Sequence, residues 1–598
     1  MVSEAIRSLT QASSRPPSIF EFGLVTCLWL ISIVIVNPIG EFPIIDDGLY
    51  EGIVKHLLVT GEFPNPEPAS ATLLTNILWG AAFCLMKGVS FTTLRVSTLV
   101  ASLLGLFGVL ALSRELALPL RLRLLTALTL AFSPAYHSLS FSFMTDVPFA
   151  ALVTWASVFF VKSLRSGSLI HIGAATLLTV VATLSRQVAL AMPISYAISL
   201  FFKEGMRPNP KKIIRAAIAL ILPASALSGY FNVLASTHRL PITYNFFSNI
   251  MMSTLTHGSA LAKVPFINAY VTVLYLGLFL LPVLLAAARG FSHCKGWLFG
   301  AFFVVSLAPV IAGALIRSKL GLSDAVPLPE SHVLVPSGIG LLWLRGAQGV
   351  PGLPREFWDT VTCLAMLGSV LFFAQLSAIA RELVRFFTRR SAGTDSHAAV
   401  LFFIVTSAIL LCPYLFTGTS DRYLTPALPL FAVAVMTASL WWPQEMRRIP
   451  KVARTAAYIQ LIGTTIFSVI GTRDYLAWHK VVATASSELI QTGHIRPQQI
   501  NGGEEFNAYY PTYQGREAEI DFSDLDNDPS GYVFTEEIKK QAKVVERIAW
   551  RPPDVQYVVG FEPMPGYATI REYAYYNWMP PHQQSILVLR RNQDRRRS

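Results

Sequence analysis

From residue 19 to residue 471 the chain is a succession of apolar runs about 17–25 residues long. Each run has the length a helix needs to cross the hydrocarbon core of a bilayer. A soluble chain of 598 residues would divide into several domains. Composition rules that out: 53% of residues are hydrophobic and only 14% are charged, with a mean hydropathy of +0.49. The fold class expected is an all-α polytopic membrane protein with about 13 transmembrane helices, at roughly 19–38, 94–112, 122–136, 147–162, 169–185, 187–202, 213–234, 268–288, 297–316, 359–380, 398–415, 424–442 and 453–471.

Basic residues mark every second loop. Arg114, Arg121 and Arg123 form one group, Lys162 and Arg165 the next, then Lys203, Arg207, Lys211 and Lys212. Arg289 and Lys295, then Arg381 to Arg390, then Arg447 to Arg454 continue the alternation. The positive-inside rule makes that face cytoplasmic. The net charge of +12 is therefore topological rather than a nucleic-acid footprint, because it is spread among loops. Residues 1–18 are expected in the cytoplasm, 19–471 in the membrane module, and 472–598 in a small extracytoplasmic α+β domain. Arg7 and Arg15 ahead of the first run resemble a secretory signal. The run is too long for one and no small-residue cleavage site follows Asn37-Pro38, so the first helix is expected to be retained, in the plasma membrane of a bacterium.

Within the first outer loop, 39–93, the segment Ala71–Gly88 carries Asn76 and Lys87 and reads as an interfacial or re-entrant helix, since a span there would invert the later alternation. The tail has strand-like runs at Val555–Phe561 and Ser585–Leu589. Cys27, Cys84, Cys294, Cys363 and Cys412 lie in or beside apolar segments and read as buried thiols, not as a disulfide or metal framework.

No Walker A sequence, dinucleotide fingerprint, H-E-x-x-H or paired C-x-x-C is present, which disfavours an ATP-driven pump. The outer face instead collects acids and arginines. Asp46 and Asp47 follow the first helix; one could cap the helix begun by Leu49, Ile53, Val54, Leu57 and Leu58 while the other faces a cavity. Asp146, just before Val147-Pro148, reads as a helix cap with room for a substrate contact. Arg186, between two spans with almost no loop, either snorkels or binds a lipid phosphate. Arg422 and Tyr423, followed by Pro426 and Pro429, read as an anion site, unless Asp421 neutralises the arginine. Arg95 opens the second span.

These parts suit a sugar carried on a polyprenyl phosphate. Arginines would hold the phosphate and stabilise the charge that develops as it leaves. One carboxylate would then take the proton of the attacking hydroxyl or amine, with inversion at the anomeric carbon. No cofactor is required, and a divalent metal is not demanded, although adjacent acids could bind one.

Asp46-Asp47-x-x-Tyr50 followed by Leu57-Leu58-x-x-Gly61 resembles the first-loop motif of the GT-C glycosyltransferases, in the branch of protein O-mannosyltransferases and lipid A aminoarabinose transferases. Leu94-Arg95-Val96, Phe143 to Pro148, Leu184-Ser185-Arg186-Gln187 and Arg422-Tyr423-x-x-Pro426-x-x-Pro429 resemble its later landmarks in the same order. The resemblance implies that Asp46 is the acceptor-activating base and Asp47 its supporting acid. It implies that cations at outer helix ends hold the donor phosphate, for which Arg186, Arg422, Tyr423 and Arg95 are the candidates here, with Asp146 and Tyr50 for substrate. Two departures stand out. Asp47 replaces the usual Glu, and Pro64-Asn65-Pro66-Glu67-Pro68 stands where some relatives have Lys-Pro, leaving Lys55, Lys87 or Arg186 as stand-ins.

The expected partners are the lipid-linked donor, a lipid, glycan or protein acceptor, and membrane lipid, with no nucleic acid. A transporter or flippase of a lipid-linked sugar would use similar charges, but its usual internal repeat is absent. A non-catalytic assembly factor with a sugar-binding tail, using Tyr573, Tyr575, Tyr576 and Trp578, is a third reading.

Overall fold

The computed structural model describes residues 19–64, 69, 72–205, 207, 209–288, 331–388, 395–441, 451–510, 532–533, 535, 538–539 and 555–592. The span expected at 297–316 and the terminal Arg595-Arg596-Arg597 lie outside these residues. Among the described residues, eight helices are long and apolar enough to cross a membrane: Ile19–Val36, Phe91–Glu115, Asp146–Ser166, Pro210–Ser236, Gly258–Phe279, Arg355–Thr388, Asp395–Thr417 and Lys451–Gln491.

Several other expected spans are shorter or broken, and proline explains most of the breaks by removing a helical N–H. The run at 122–136 divides into Leu120–Ala131 and Pro134–Ser140, with the Ser133 hydroxyl capping the second piece. The run at 424–442 becomes a 3₁₀ turn, Asp421–Leu424, and a helix of 11 residues, Leu428–Ala438, with Pro429 in its first turn. Leu74–Lys87 has 14 residues, about 21 Å of helix, too short to span. Helix Ile242–Thr256 had no counterpart among the expected elements; its Thr243 and Thr254 hydroxyls reach Ala69 and Phe416 carbonyls.

The charged residues of the loops expected inside meet at one end of the bundle. Buried Glu21 pairs with Arg123 at 2.8 Å and Arg114 at 3.6 Å. Asp395 joins Arg165 and Lys203, and Glu115 joins Lys162 and Arg165. Asp46, Arg95, Asp146, Arg186 and Arg422 stand at the other ends of the same or adjoining helices. Between the two ends the packing is tight. A Cβ on Gly277 would overlap the backbone at Gly368 and Ser369, so the helices Gly258–Phe279 and Arg355–Thr388 cross backbone to backbone.

Helix Lys451–Gln491 has 41 residues, about 60 Å, and runs unbroken through residue 471 into the tail. Its Asp474 carboxylate accepts the N–H groups of Trp578 and Met579 and pairs with Arg473. A hairpin of β1 (Leu334–Val335) and β2 (Gly338–Ile339) precedes the tail sheet. That sheet contains β3 (Ile500–Asn501), β4 (Tyr557–Gly560), β5 (Tyr567–Trp578) and β6 (Pro581–Arg591), in the order β3-β4-β6-β5. Strands β4 and β6 occupy the two expected runs. Strand β5 is the aromatic segment: Tyr573 and Tyr575 pack on the core while Tyr576 is exposed, the alternation of a pleated strand. The tail packs at the end of the bundle that carries Asp46 and Arg422. Glu504 N–H donates to the Trp343 carbonyl, Phe561 N–H to Arg345, and Lys480 Nζ to Asn37.

Candidate active site

Two adjacent acids have opposite fates. Ile45 adopts φ 56°, a left-handed conformation that a β-branched residue rarely takes. After it, the Asp46 side chain is 45% exposed and that of Asp47 is fully buried. Neither caps the helix Asp47–Thr60 in the way its sequence invites: Asp46, at the cap position, makes no side-chain cap hydrogen bond. Asp47 Oδ1 instead accepts the Ile44 N–H, which closes the turn in front of the helix.

Asp47 Oδ2 lies 4.0 Å from Arg95 Nη2. Arg95 is itself buried and donates to the carbonyls of Pro38, Gly40 and Phe42, with its guanidinium 4.0 Å from the centre of the Phe42 ring. It holds the first outer loop against the bundle. Arg95→Ala is expected to destabilise the protein by about 3 kcal/mol or more, because Asp47 and three carbonyls lose their buried partner. A thermal midpoint unchanged in detergent would show that the loop does not depend on this side chain.

Burial raises the Asp47 carboxyl to about 7 against the opposing pull of Arg95. The sign of the consequence follows. Between about pH 4 and pH 7 the folded chain keeps a proton that the unfolded chain has lost, so this group's contribution to stability falls as pH rises and is level above pH 7. Asp47→Asn is expected to remove that slope from the pH dependence of unfolding. The same slope in both proteins would assign it elsewhere.

Asp46 turns to the other arginine: Oδ2 lies 3.6 Å from Arg422 Nη1. Asp421 does not neutralise Arg422. Its carboxylate accepts the N–H groups of Val333 and Leu334 and the hydroxyl of Ser420, tying the 3₁₀ turn to the β1 end of the hairpin. Arg422 is left with donors to spare. Among the described residues neither its Nε nor its Nη1 has a hydrogen-bond partner, although both are buried. Burial works against its charge, but Tyr423, Asp46 and Asp146 outweigh burial and hold the guanidinium above its ordinary value. Tyr423 supports it, with the ring centre 5.1 Å from the guanidinium, and stacks on Tyr414 at 4.4 Å.

The third acid–base pair closes the site. Arg186 does not snorkel: Nη2 meets Asp146 Oδ1 at 3.0 Å and Nε donates to the Thr145 hydroxyl at 2.9 Å. Asp146 is the first residue of its helix, with Thr145 at the cap position, and spends its carboxylate on Arg186 rather than on a cap hydrogen bond. Buried Tyr50, one turn after Asp46, lies within electrostatic reach of Asp46, Arg422, Arg186 and Asp146.

The fold thus gathers Asp46, Tyr50, Asp146, Arg186, Arg422 and Tyr423 from four separate segments. Arg95 stands apart with Asp47 beneath the loop, and Lys55 and Lys87 are exposed on their helices. Sequence reading missed Thr145, Tyr414, His332 and Tyr475. His332 Nδ1 sits 2.6 Å from the Ser420 hydroxyl, and its ring centre is 6.4 Å from that of Tyr423. Gly340, at φ 84°, lies so close to the Tyr475 ring that any Cβ would overlap it. Thr145 lies within the Phe143 to Pro148 landmark without being singled out there, and no local pattern marks Tyr414, His332 or Tyr475 as site residues, since each acquires its place from a distant segment. Among the described residues no group of His, Cys, Asp and Glu side chains could hold a metal ion, and Cys27, Cys84, Cys363 and Cys412 are free thiols, of which only Cys84 is buried.

No family model and no curated protein matches the chain. Solved structures do. The chain is similar to the protein O-mannosyltransferase Pmt1–Pmt2 complex of S. cerevisiae bound to the sugar donor, with 14% identity over 38% of this chain and 35% of that one, at a TM-score of 0.31. It is also similar to ArnT from Cupriavidus metallidurans bound to undecaprenyl phosphate, with 13% identity over 96% of this chain and 97% of that one, at a TM-score of 0.39. The same protein in the apo state gives 12% identity and the same TM-score of 0.39. The match spans about a third of the yeast chain. Both proteins belong to the branch that the order of motifs resembles, and likeness at this level assigns no residue a role.

Proposed function

We propose that this chain is a glycosyltransferase that moves a sugar from a polyprenyl phosphate to a hydroxyl or amine at the outer face of the membrane, with inversion. The observation that carries the reading is Arg422: two buried guanidinium nitrogens that make no hydrogen bond among the described residues, one of them 3.6 Å from a half-exposed carboxylate. Buried donors without partners are rare, and an anion seated there would satisfy them. An arginine and a carboxylate so placed can serve the two ends of one displacement.

The acceptor oxygen or nitrogen forms a bond to the anomeric carbon while the bond from that carbon to the phosphate oxygen breaks. The bonding pair leaves with the phosphate, whose added charge falls to Arg422. The acceptor's proton passes to Asp46, which is open enough to meet an incoming group. Tyr50 and the Arg186–Asp146 pair stand within electrostatic reach of the same centre and are the candidates for holding the sugar. Asp47 and Arg95 act underneath, by holding the loop that carries Asp46.

Purified protein given a labelled polyprenyl-phosphate sugar and an acceptor is expected to release free polyprenyl phosphate. A protein that moves the intact lipid between leaflets and releases none would be a transporter, and the reading would fail.

A further inference from the structure

Beside the charged cluster, and outside the mechanism above, lies a narrow cleft of about 10 Å³ walled by Ile44, Ile45, Ser138, Ser142, His332 and Tyr475. That volume admits about one water-sized group. Its polar walls are not equivalent. The hydroxyls of Ser138 and Ser142 already donate to the Pro134 and Leu139 carbonyls. Tyr475 is buried, yet its hydroxyl has no hydrogen-bond partner among the described residues. Buried tyrosine hydroxyls normally find one.

One proton assignment satisfies the groups around His332: with Asp421 ionised, its carboxylate accepts and the Ser420 hydroxyl donates to it at 3.2 Å. The Ser420 oxygen is then free to accept from His332 Nδ1–H at 2.6 Å. This chain leaves Nε2 without a proton, a hydrogen-bond acceptor. Burial first, and Arg422 second, push the imidazole down to about 3, so the ring stays neutral. The same guanidinium disfavours an ammonium in its vicinity.

We propose that this cleft takes one hydroxyl group of a sugar, which donates to His332 Nε2 and accepts from the Tyr475 hydroxyl, and that it thereby selects the sugar the site uses. The inference rests on the glycosyltransferase reading. The hydroxyl belongs to the donor sugar or to a carbohydrate acceptor. A larger substituent at the same carbon, such as an N-acetyl group, exceeds the space.

The test uses the full chain in lipid nanodiscs, with bare undecaprenyl phosphate, a panel of undecaprenyl-phosphate monosaccharides and their monodeoxy counterparts. One sugar-bearing lipid is expected to bind more tightly than the bare lipid, and loss of one hydroxyl should reduce that advantage about tenfold. Tyr475→Phe, which keeps shape, and His332→Ala should each lose the advantage with the intact sugar and lose nothing further with that deoxy sugar. Both should bind bare undecaprenyl phosphate within about twofold of the parent. If donor binding is unchanged and the KM of a carbohydrate acceptor rises about tenfold instead, the hydroxyl is the acceptor's. Equal loss for bare and sugar-bearing lipid, or indifference of the parent to every deoxy donor and acceptor, would overturn the proposal and leave the cleft to water. A parent that ignores undecaprenyl phosphate altogether would overturn the glycosyltransferase reading itself.

Discussion

Asp46→Asn is expected to lower the rate of sugar transfer by about 10²–10⁴-fold, the usual worth of a positioned general base. The substitution is isosteric and the side chain is half exposed, so the thermal midpoint should hold. Donor binding should not weaken. The Asp46 carboxylate is the charged neighbour of Arg422 at 3.6 Å and competes with phosphate for it. Bare polyprenyl phosphate should therefore bind as tightly to the variant as to the parent, or more tightly. Transfer at the parental rate would remove Asp46 as the base, and loss of lipid binding would show that it holds the donor instead.

Arg422→Ala is expected to fail in the opposite manner. Both affinity for polyprenyl phosphate and the transfer rate should fall, the rate by about 10²–10³-fold, because the same guanidinium binds the phosphate and stabilises it as it departs. Arg422→Lys should recover only part of the loss, since an ammonium restores charge without the planar fork. Stacking of Tyr423 on Tyr414 depends little on the arginine, so the pocket wall should survive the change. Undiminished use of donor by Arg422→Ala would leave the cluster without its anion site.

The sequence reading recovered the helical membrane class, the two tail strands β4 and β6, and the ends of the bundle where charges gather. Its signals were one-dimensional: run length, alternating loop charge and period-two alternation. It erred where one side chain had two plausible partners. Asp146 reads as a cap from its neighbours, yet Arg186, 40 residues away, claims the carboxylate at 3.0 Å. Asp421, adjacent to Arg422, was the alternative partner that could have cancelled the anion site, and only the structure shows its carboxylate taken by the N–H groups of Val333 and Leu334. Strand β5 was hidden because its aromatic residues suit stacking as well as pleating. The runs at 122–136 and 424–442 read as continuous because hydropathy averages over a proline that breaks the backbone ladder.

The amino-acid order alone determined that the chain must bury itself in a bilayer, and which loops carry positive charge, since hydrocarbon penalises exposed polar groups wherever they fall. Tertiary structure decided which of two neighbouring aspartates meets solvent and which is sealed beneath it. It also left one arginine with unspent donors. A hydrogen bond is satisfied by whatever lies within about 3 Å, and only folding brings residues hundreds of positions apart to that distance.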